Sequence, residues 1–358
     1  MVASEVGFTE LASRVRPGLE AALVEYLRGV TLSVRELPRD VQLTVDAVRD
    51  LTLRGGKRLR AVLLAAGYEA CGGEGGPDVV VMGGVSLELL QTYLLIHDDW
   101  MDGDDIRRGG PSVPFMIRSQ VATRARREPR MADSFTILAG DFAAGLALDA
   151  LSQVPVRPDR LTAAMREMGR IQRDVVLGQM CDVQASLSAE PPTEAAVELT
   201  HALKTGSYTV RGPLTLGAHL AGADEVTLRA LDAFADPLGV AFQLRDDLLG
   251  TFGHPDHTGK PSTGDIKQGK RTALIAALGA DPESAALLAR AFGNPDADPV
   301  DTEALVGRMV RSGAKQRVED RIEELLGKAS GALDNPSIGG RARDLLRGAA
   351  HALSHREK

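Results

Sequence analysis

The sequence predicts an all-α protein, and three observations point there. Alanine, leucine, arginine and glutamate, all good helix formers, dominate the chain. Alternating runs of β-branched residues, which would mark strands, are missing. Prolines and glycine pairs fall where one helix-length piece should end and the next begin. The packing that follows is a bundle of about a dozen helices, in one domain over residues 1–358.

The elements read in order as follows. Phe8 to Leu32 forms one or two helices, with Pro17 early. Pro38 marks a break, and Arg39 to Leu53 is the next helix. Gly55-Gly56 is a turn before a helix from Lys57 to Ala70, and CGGEGGP at Cys71 to Pro77 is a loop. A long helix then runs into LELLQTYLLIHDDWMDGDDIRRG, Leu87 to Gly109, which ends in five aspartates and two arginines. Gly109 to Arg130 is a solvated loop or short helix with a basic middle at Arg124, Arg126, Arg127 and Arg130. Met131 to Leu151 and Arg160 to Leu187 are helices, as is Thr193 to Leu220 with an interruption at Gly212-Pro213. Ala223 to Leu249 follows, with Pro237 as a kink. Thr251 to Gly269 is a polar loop, Lys270 to Leu278 restarts the helix, and GNPDADP at Gly293 to Pro299 is a turn. Two or three helices finish the chain, with a break at Asn335-Pro336.

Composition narrows the function. With 358 residues and 44% hydrophobic content, the chain can bury a large core. A formal charge of −7 implies no general affinity for nucleic acid. Cys71 and Cys181 make no disulfide framework, and a reducing, cytoplasmic setting fits. The first residues, MVASEVGFTELASRV, lack the basic-then-apolar pattern of a signal peptide. Val79 to Ile96 is apolar enough to suggest a membrane span, but Glu88, Gln91, Gly83-Gly84 and the aspartates beyond it favour a buried core helix. No integral membrane association is expected.

The chemistry gathers in a few clusters. Asp98 and Asp102 are four apart and share a helix face, where two bare carboxylates would repel unless a divalent cation lies between them. Hard oxygen ligands suit magnesium, which binds through one or two carboxylates plus substrate phosphates. The acidic theme returns at Asp246-Asp247 in FQLRDDLLGTFG, with Lys260 and Lys270 after it. In GGKRLR, Lys57 and Arg60 are three apart at a helix start, so both can face one anion. Arg107 and Arg108 follow the first aspartates, and on a helix they would serve different anions. GQMCD, Gly178 to Asp182, and Lys204-Thr205 complete the set. Two acidic clusters, each followed by basic residues, suit metal ions that bridge carboxylates to a diphosphate. No CxxC, HExxH or strand-linked GxGxxG appears, and the seven histidines do not cluster.

Taken in order, GGKRLR, LLIHDDWMDGDDIRRGGPSV, ILAGD, GQMCD, LKTGSY and FQLRDDLLGTFG…TGKPSTGDIKQGKRT resemble the trans-isoprenyl diphosphate synthases, or polyprenyl synthetases. The resemblance implies the isoprenoid synthase fold, a helical bundle around a deep central cavity, usually as a homodimer. It implies a head-to-tail condensation of isopentenyl diphosphate with an allylic diphosphate, assisted by about three magnesium ions per site. Asp98 and Asp102 would hold two ions on the allylic diphosphate, and Asp246 the third with support from Asp247 through water. Lys57, Arg60, Gln91 and Arg108 would bind isopentenyl diphosphate, with Phe242 beside its isoprene unit. Arg107, Lys204, Thr205, Gln243, Lys260 and Lys270 would bind the allylic side. Asp98, Asp102, Asp246, Lys204 and Arg107 would thus carry catalysis: the diphosphate leaves, an allylic carbocation forms, and the double bond of isopentenyl diphosphate attacks it. The proton then passes to the departing diphosphate.

Two positions depart from the family pattern. Gly250 stands where the fullest second motif has a third aspartate, and Asp265 is a candidate to contribute through water. Pro114 stands where many members have histidine. Other residues have plainer expectations. His97 packs and hydrogen-bonds, Trp100 points outward or into helix packing, Cys181 is a small buried residue, Asp182 gives indirect support, and Asp104 and Asp105 orient Arg107 and Arg108. Product length should depend on Tyr93 and Leu94, five and four before Asp98, with Leu90, Leu89 and Ser86 further back. An isoprene unit is roughly as long as a helical turn of about 5.4 Å. Members of that family that stop at fifteen carbons often have aromatics at one or both of these positions, so the resemblance, with Tyr93 and Leu94 here, implies geranylgeranyl diphosphate, C20, over farnesyl diphosphate, C15, or a longer product. A class I terpene cyclase is disfavoured by GGKRLR and the paired arginines, and a non-catalytic partner subunit by the intact aspartates.

Overall fold

A computed structural model describes residues 3–125, 129–188, 190–253, 264–278 and 282–354. Lys260, Arg126 and Arg127 lie outside them. The helices are α1 Ala3–Ser33, α2 Arg39–Leu53, α3 Leu59–Ala70, α4 Pro77–Asp102, α5 Val113–Ala125, α6 Pro129–Ser152, α7 Pro158–Leu187 and α8 Glu194–His201. A π-helix follows at Ala202–Arg211. Then come α9 Gly212–Ala221, α10 Glu225–Phe252, α11 Gly264–Lys267, α12 Ala273–Leu278, α13 Pro282–Ala291, α14 Pro299–Arg311, α15 Ala314–Ala332 and α16 Gly340–Ser354. The fold is all-α. The strands among the described residues are β1 Ile106–Arg107 and β2 Gly110–Pro111, a two-stranded antiparallel ladder.

Local chemistry explains the boundaries. Pro77 and Pro299 sit in the first turns of α4 and α14, where a missing N–H costs nothing. The side chains of Thr193, Asp224 and Asp298 cap α8, α10 and α14 by accepting backbone N–H bonds. Gly103, at φ 70°, ends α4 just after Asp102, in the left-handed conformation that glycine adopts without strain.

The chain divides into two compact units. The first is Thr9–Arg166 with Leu216–Ala223. In it α4 packs on α3, α6, α2 and α5, and a small-residue core of Ala47, Val48, Leu51, Ile96, Ala132, Ala139 and Ala143 lies among α2, α4 and α6. The second is Met1–Phe8, Glu167–Thr215 and Asp224–Lys358. In it α10 packs on α15, the π-helix, α8 and α12, over a core that includes Leu244, Leu248, Leu274, Leu305 and Ile322. Two described helices, α4 and α6, are long and apolar enough to cross a membrane by length and composition alone. The most apolar window of α4 is 61% buried and that of α6 is 39% buried.

Three local expectations need correction. The helix after Gly56 starts at Leu59, because Arg58 takes a left-handed conformation (φ 48°) that a continuing helix cannot hold, so Lys57 precedes the helix. Arg107 and Arg108 are on a hairpin, not a helix: the central residues Arg108 and Gly109 both have positive φ, 51° and 70°, as a two-residue primed turn requires. The break after α8 comes as a π-helix before Gly212-Pro213, which instead opens α9.

Candidate active site

In the first unit the acidic cluster closes α4. Asp98 is half-buried and Asp102 exposed, one turn apart on the same face. Asp99 points the other way and is fully buried. Its Oδ1 accepts from the Arg107 guanidinium at 2.5 Å, and Asp104 accepts from the same guanidinium at 2.9 Å. Arg107 is thereby held 3.8 Å from Asp98. Burial pushes the Asp99 carboxyl up to about 6, with the Arg107 contact pulling the other way. Asp99 is the anchor that sequence reasoning missed. Its signal was present, since a residue next to Asp98 on a helix turns about 100 degrees away from it, toward the packed side of α4.

Arg108 takes a different partner. Its Nη1 donates to the Arg54 carbonyl at 3.3 Å, and Arg54 Nη1 donates to the carbonyls of Arg107 and Pro111 at 3.2 and 2.5 Å. Arg54 thus ties the arginine hairpin to the loop that carries Lys57. The Arg54 guanidinium lies over Gly110, where a Cβ would come within 2.9 Å of it.

Between Lys57 and Arg60 sits Arg58, also missed. It is buried and donates to Glu20 and Glu88, both at 2.7 Å, and to the Thr52 carbonyl. Lys57 is exposed, and its carbonyl accepts from Arg16. A buried guanidinium with its donors matched to two carboxylates fixes the loop's path. Lys57, Arg60, Arg108 and Gln91 all belong to this unit.

The second unit has its own cluster. Lys204 and Thr205 lie on the π-helix. Lys204 Nζ is 2.6 Å from Asp182 Oδ2, so Asp182 partners the lysine. The Thr205 hydroxyl donates to Gln243 Oε1 at 2.8 Å, and Gln243 Nε2 donates to Asp247 Oδ1 at 3.1 Å. The other Asp247 oxygen takes the Ala273 N–H at 3.2 Å and lies 3.4 Å from His201 Nε2. Asp247 is buried, and burial raises its carboxyl while His201 lowers it. Asp246, one residue earlier, is half-buried on α10. Lys270 Nζ is 3.0 Å from Asp265 Oδ1.

The plainer expectations divide. His97 packs edge-on against Tyr93 at 5.1 Å and against Gly140 of ILAGD, where any Cβ would strike the imidazole at 1.9 Å. Its Nε2 is buried without a hydrogen bond and lies 3.7 Å from Asp141 Oδ1. Trp100 donates from Nε1 to Asp133 at 2.9 Å. Cys181 is half-buried rather than buried. Asp105 pairs with Arg118 and Asp104 with Arg107. Tyr93 packs against the small-residue core of the first unit, and Leu94 is half-buried.

The donor set fits magnesium. Among the described residues no three His, Cys, Asp or Glu side chains close round one point as a protein cage would. Magnesium does not need one, since it completes its shell with water and phosphate oxygens. Asp98 and Asp102 offer hard oxygens at one-turn spacing, and Asp246 offers another.

Comparison with known proteins agrees with this chemistry. A family model described as polyprenyl synthetase matches residues 41–309. A geranylgeranyl diphosphate synthase of Mycobacterium tuberculosis is 32% identical over 292 residues, which cover 79% of this chain and 77% of that protein. A (2E,6E)-farnesyl diphosphate synthase of the same species is 32% identical over 217 residues, covering 61% of this chain and 55% of that protein. The solved structure of a geranylgeranyl pyrophosphate synthase from Corynebacterium glutamicum, complexed with isoprenyl diphosphate and magnesium, is 31% identical and superposes with a TM-score of 0.86. It covers 97% of this chain and 99% of its own.

Proposed function

The chain belongs to the polyprenyl synthetase family, and on that premise we propose that it condenses isopentenyl diphosphate head-to-tail with an allylic diphosphate to make geranylgeranyl diphosphate. The observation that carries this reading is the Arg107 guanidinium, gripped by Asp99 and Asp104 and held beside Asp98. A cation fixed next to a metal-binding carboxylate is preorganised for a leaving diphosphate.

In this reading Asp98 and Asp102 hold metal on the allylic diphosphate, and Asp246 holds a further ion. Bound magnesium supplies positive charge to the leaving group. Arg107, Lys204, Thr205, Gln243, Lys260 and Lys270 bind the same diphosphate. Thr205 and Gln243 are oriented for that by the hydrogen-bonded relay that ends on Asp247. Asp247 spends both its oxygens on protein partners, so its role is to position rather than to touch metal. Lys57, Arg60, Gln91 and Arg108 hold isopentenyl diphosphate, and Phe242 packs beside its isoprene unit. No side-chain base is assigned. The departing diphosphate takes the proton.

Product length rests on Tyr93 and Leu94. Tyr93 packs, with Phe135, against a core rich in alanine, so its ring takes up room that a longer chain would use. The relatives named geranylgeranyl synthases favour C20, and the farnesyl synthase among them keeps C15 as the second reading. The two compact units are read as one catalytic domain. A homodimer is part of the same proposal, because α6 leaves Met131, Leu138 and Leu148 exposed while Ala139, Ala143, Ala147 and Ala150 are buried. A cytoplasmic setting, with Cys71 and Cys181 as free thiols, completes it.

The test is chromatography of products from labelled isopentenyl diphosphate with dimethylallyl, geranyl or farnesyl diphosphate and magnesium. A C20 product is expected from all three primers. A dominant C15 product would replace the first reading with the second, and no prenyl product would end both.

A further inference from the structure

The π-helix is tied to α7 near both its ends. Close to its start Lys204 pairs with Asp182, and at its last residue Arg211 Nη2 lies 2.5 Å from Asp174 Oδ2. Asp174 and Asp182 are eight residues apart on α7, about 12 Å along its axis. The Arg211 pair is the sheltered one. Its two side chains are 15% and 13% exposed, against 29% and 42% for Lys204 and Asp182. Arg211 Nη1 also reaches Asp236 of α10 at 3.4 Å, so one guanidinium joins the π-helix to α7 and α10 within the second unit. The backbone needs such a tie here. The Gly212 N–H donates to the Ser207 carbonyl, five residues back, which is the π pattern in place of the α pattern of four. The next residue, Pro213, has no N–H to give. At this end the hydrogen-bond ladder stops fixing the register, and side chains take over.

We infer, resting on the prenyltransferase reading, that Arg211 is a positioning residue for the allylic diphosphate: its ion pair with Asp174 keeps the π-helical register that presents Lys204 and Thr205. The two ties differ in what a substrate does to them. Lys204 is paired with Asp182, and a bound diphosphate competes for the same ammonium group. That tie loosens in the state where the register matters, and the Arg211 tie, two turns away, is the one left to hold it. A slip of one residue toward an ordinary α-helix turns each side chain by about 100 degrees. It would carry Thr205 away from Gln243, to which its hydroxyl donates at 2.8 Å. Arginine suits the part. Its guanidinium keeps its charge, its donors are fixed in a fork, and a pair sheltered from water is costly to break by removing one member.

The alternative is that Arg211 only stabilises the fold. Steady-state kinetics on the full chain with magnesium separates the two, with KM measured for geranyl diphosphate and for isopentenyl diphosphate in the parent, Arg211→Gln, Arg211→Lys and Asp174→Asn. Melting temperature is recorded for each, and calorimetry measures the affinity for geranyl thiolodiphosphate, an unreactive analogue of the allylic substrate. Arg211→Gln and Asp174→Asn should each raise KM for geranyl diphosphate about tenfold and weaken the analogue to match, since a small misplacement of binding groups is costly. KM for isopentenyl diphosphate should stay within about twofold of the parent. Arg211→Lys keeps a charge within reach of Asp174 and should recover most of the loss. Equal changes in the two KM values overturn the inference. So does a lowered melting temperature with both KM values and the analogue affinity at parent levels, and so does an Arg211→Lys variant as impaired as Arg211→Gln. Should Arg211→Gln fail to fold, Asp174→Asn tests the same pair from α7. A parent that makes prenyl product while Arg211→Gln leaves the ratio of KM values unchanged defeats only this inference, whereas a parent that makes none defeats the functional reading and the inference with it.

Discussion

Asp98 and Asp99 are neighbours in sequence and opposites in environment. Asp98 is half-buried beside Arg107, while Asp99 is sealed from solvent and holds that arginine by two N–H groups. The pair shows how one helix can present a carboxylate beside a guanidinium on one face and anchor that guanidinium from the other. Asp98→Ala should cut kcat by about a hundred- to a thousandfold while leaving the far-UV circular dichroism and melting temperature near those of the parent. Steady-state kinetics with magnesium checks this, and full activity would remove Asp98 from the metal site. Tyr93→Ala takes an aromatic ring from the side of a core that includes Ala47, Ala132, Ala139 and Ala143 and so opens room beside it. Its product should be at least one isoprene unit longer, as read by chromatography, and an unchanged product would place the floor at another residue.

At the scale of single elements, the π-helix at Ala202–Arg211 matters most. Such geometry is rare and marks functional sites when it occurs, and here it carries Lys204 and Thr205. Close approach of backbones goes with it. A Cβ on Gly239 would lie 2.6 Å from Gly206 Cα, and one on Gly178 would lie 2.3 Å from Lys204 N. Neither contact is with a flexible side chain, so neither can be relieved by a rotamer change. Gly239→Ala should cost about 1–3 kcal/mol, seen as a lowered midpoint in denaturant. It should also raise KM for the allylic substrate more than KM for isopentenyl diphosphate, because the element it displaces bears Lys204 and Thr205, which are proposed for the allylic side. Equal effects on both would argue that the π-helix is only a packing accident. The arginine hairpin is the complementary case. Two residues in left-handed conformation reverse the chain within one turn, which lets Arg107 fold back on α4 while Arg108 reaches Arg54.

For the molecule as a whole, assembly is the property that the sequence pattern and the surface address together. The α6 helix buries Ala139, Ala143, Ala147 and Ala150 and exposes Met131, Leu138 and Leu148. Several large apolar groups exposed on one helix are costly unless a partner covers them. Leu138 is 60% exposed, so Leu138→Glu should not unfold the chain but should shift it from dimer to monomer in sedimentation velocity. A parent that sediments as a monomer would overturn this part of the proposal.

The helical class was legible without a structure, because helix propensity and the positions of proline and glycine are local properties. Arg39–Leu53 agrees at both ends for that reason: Pro38 precedes it, and Gly55-Gly56 follows. The family was legible too, since its motifs are linear strings of chemically specific residues. Tertiary contact decided the rest. The left-handed turn at Arg58 needs Glu20 and Glu88, which are distant in sequence. The arginine hairpin needs Asp99 on one side and Arg54 on the other. The glycine at position 250 reads in the sequence as a lost ligand, and only the fold brings Asp265 over it. Spacing along one helix can tell which residues share a face, but whether a gap on that face is empty or filled depends on which other segment packs there.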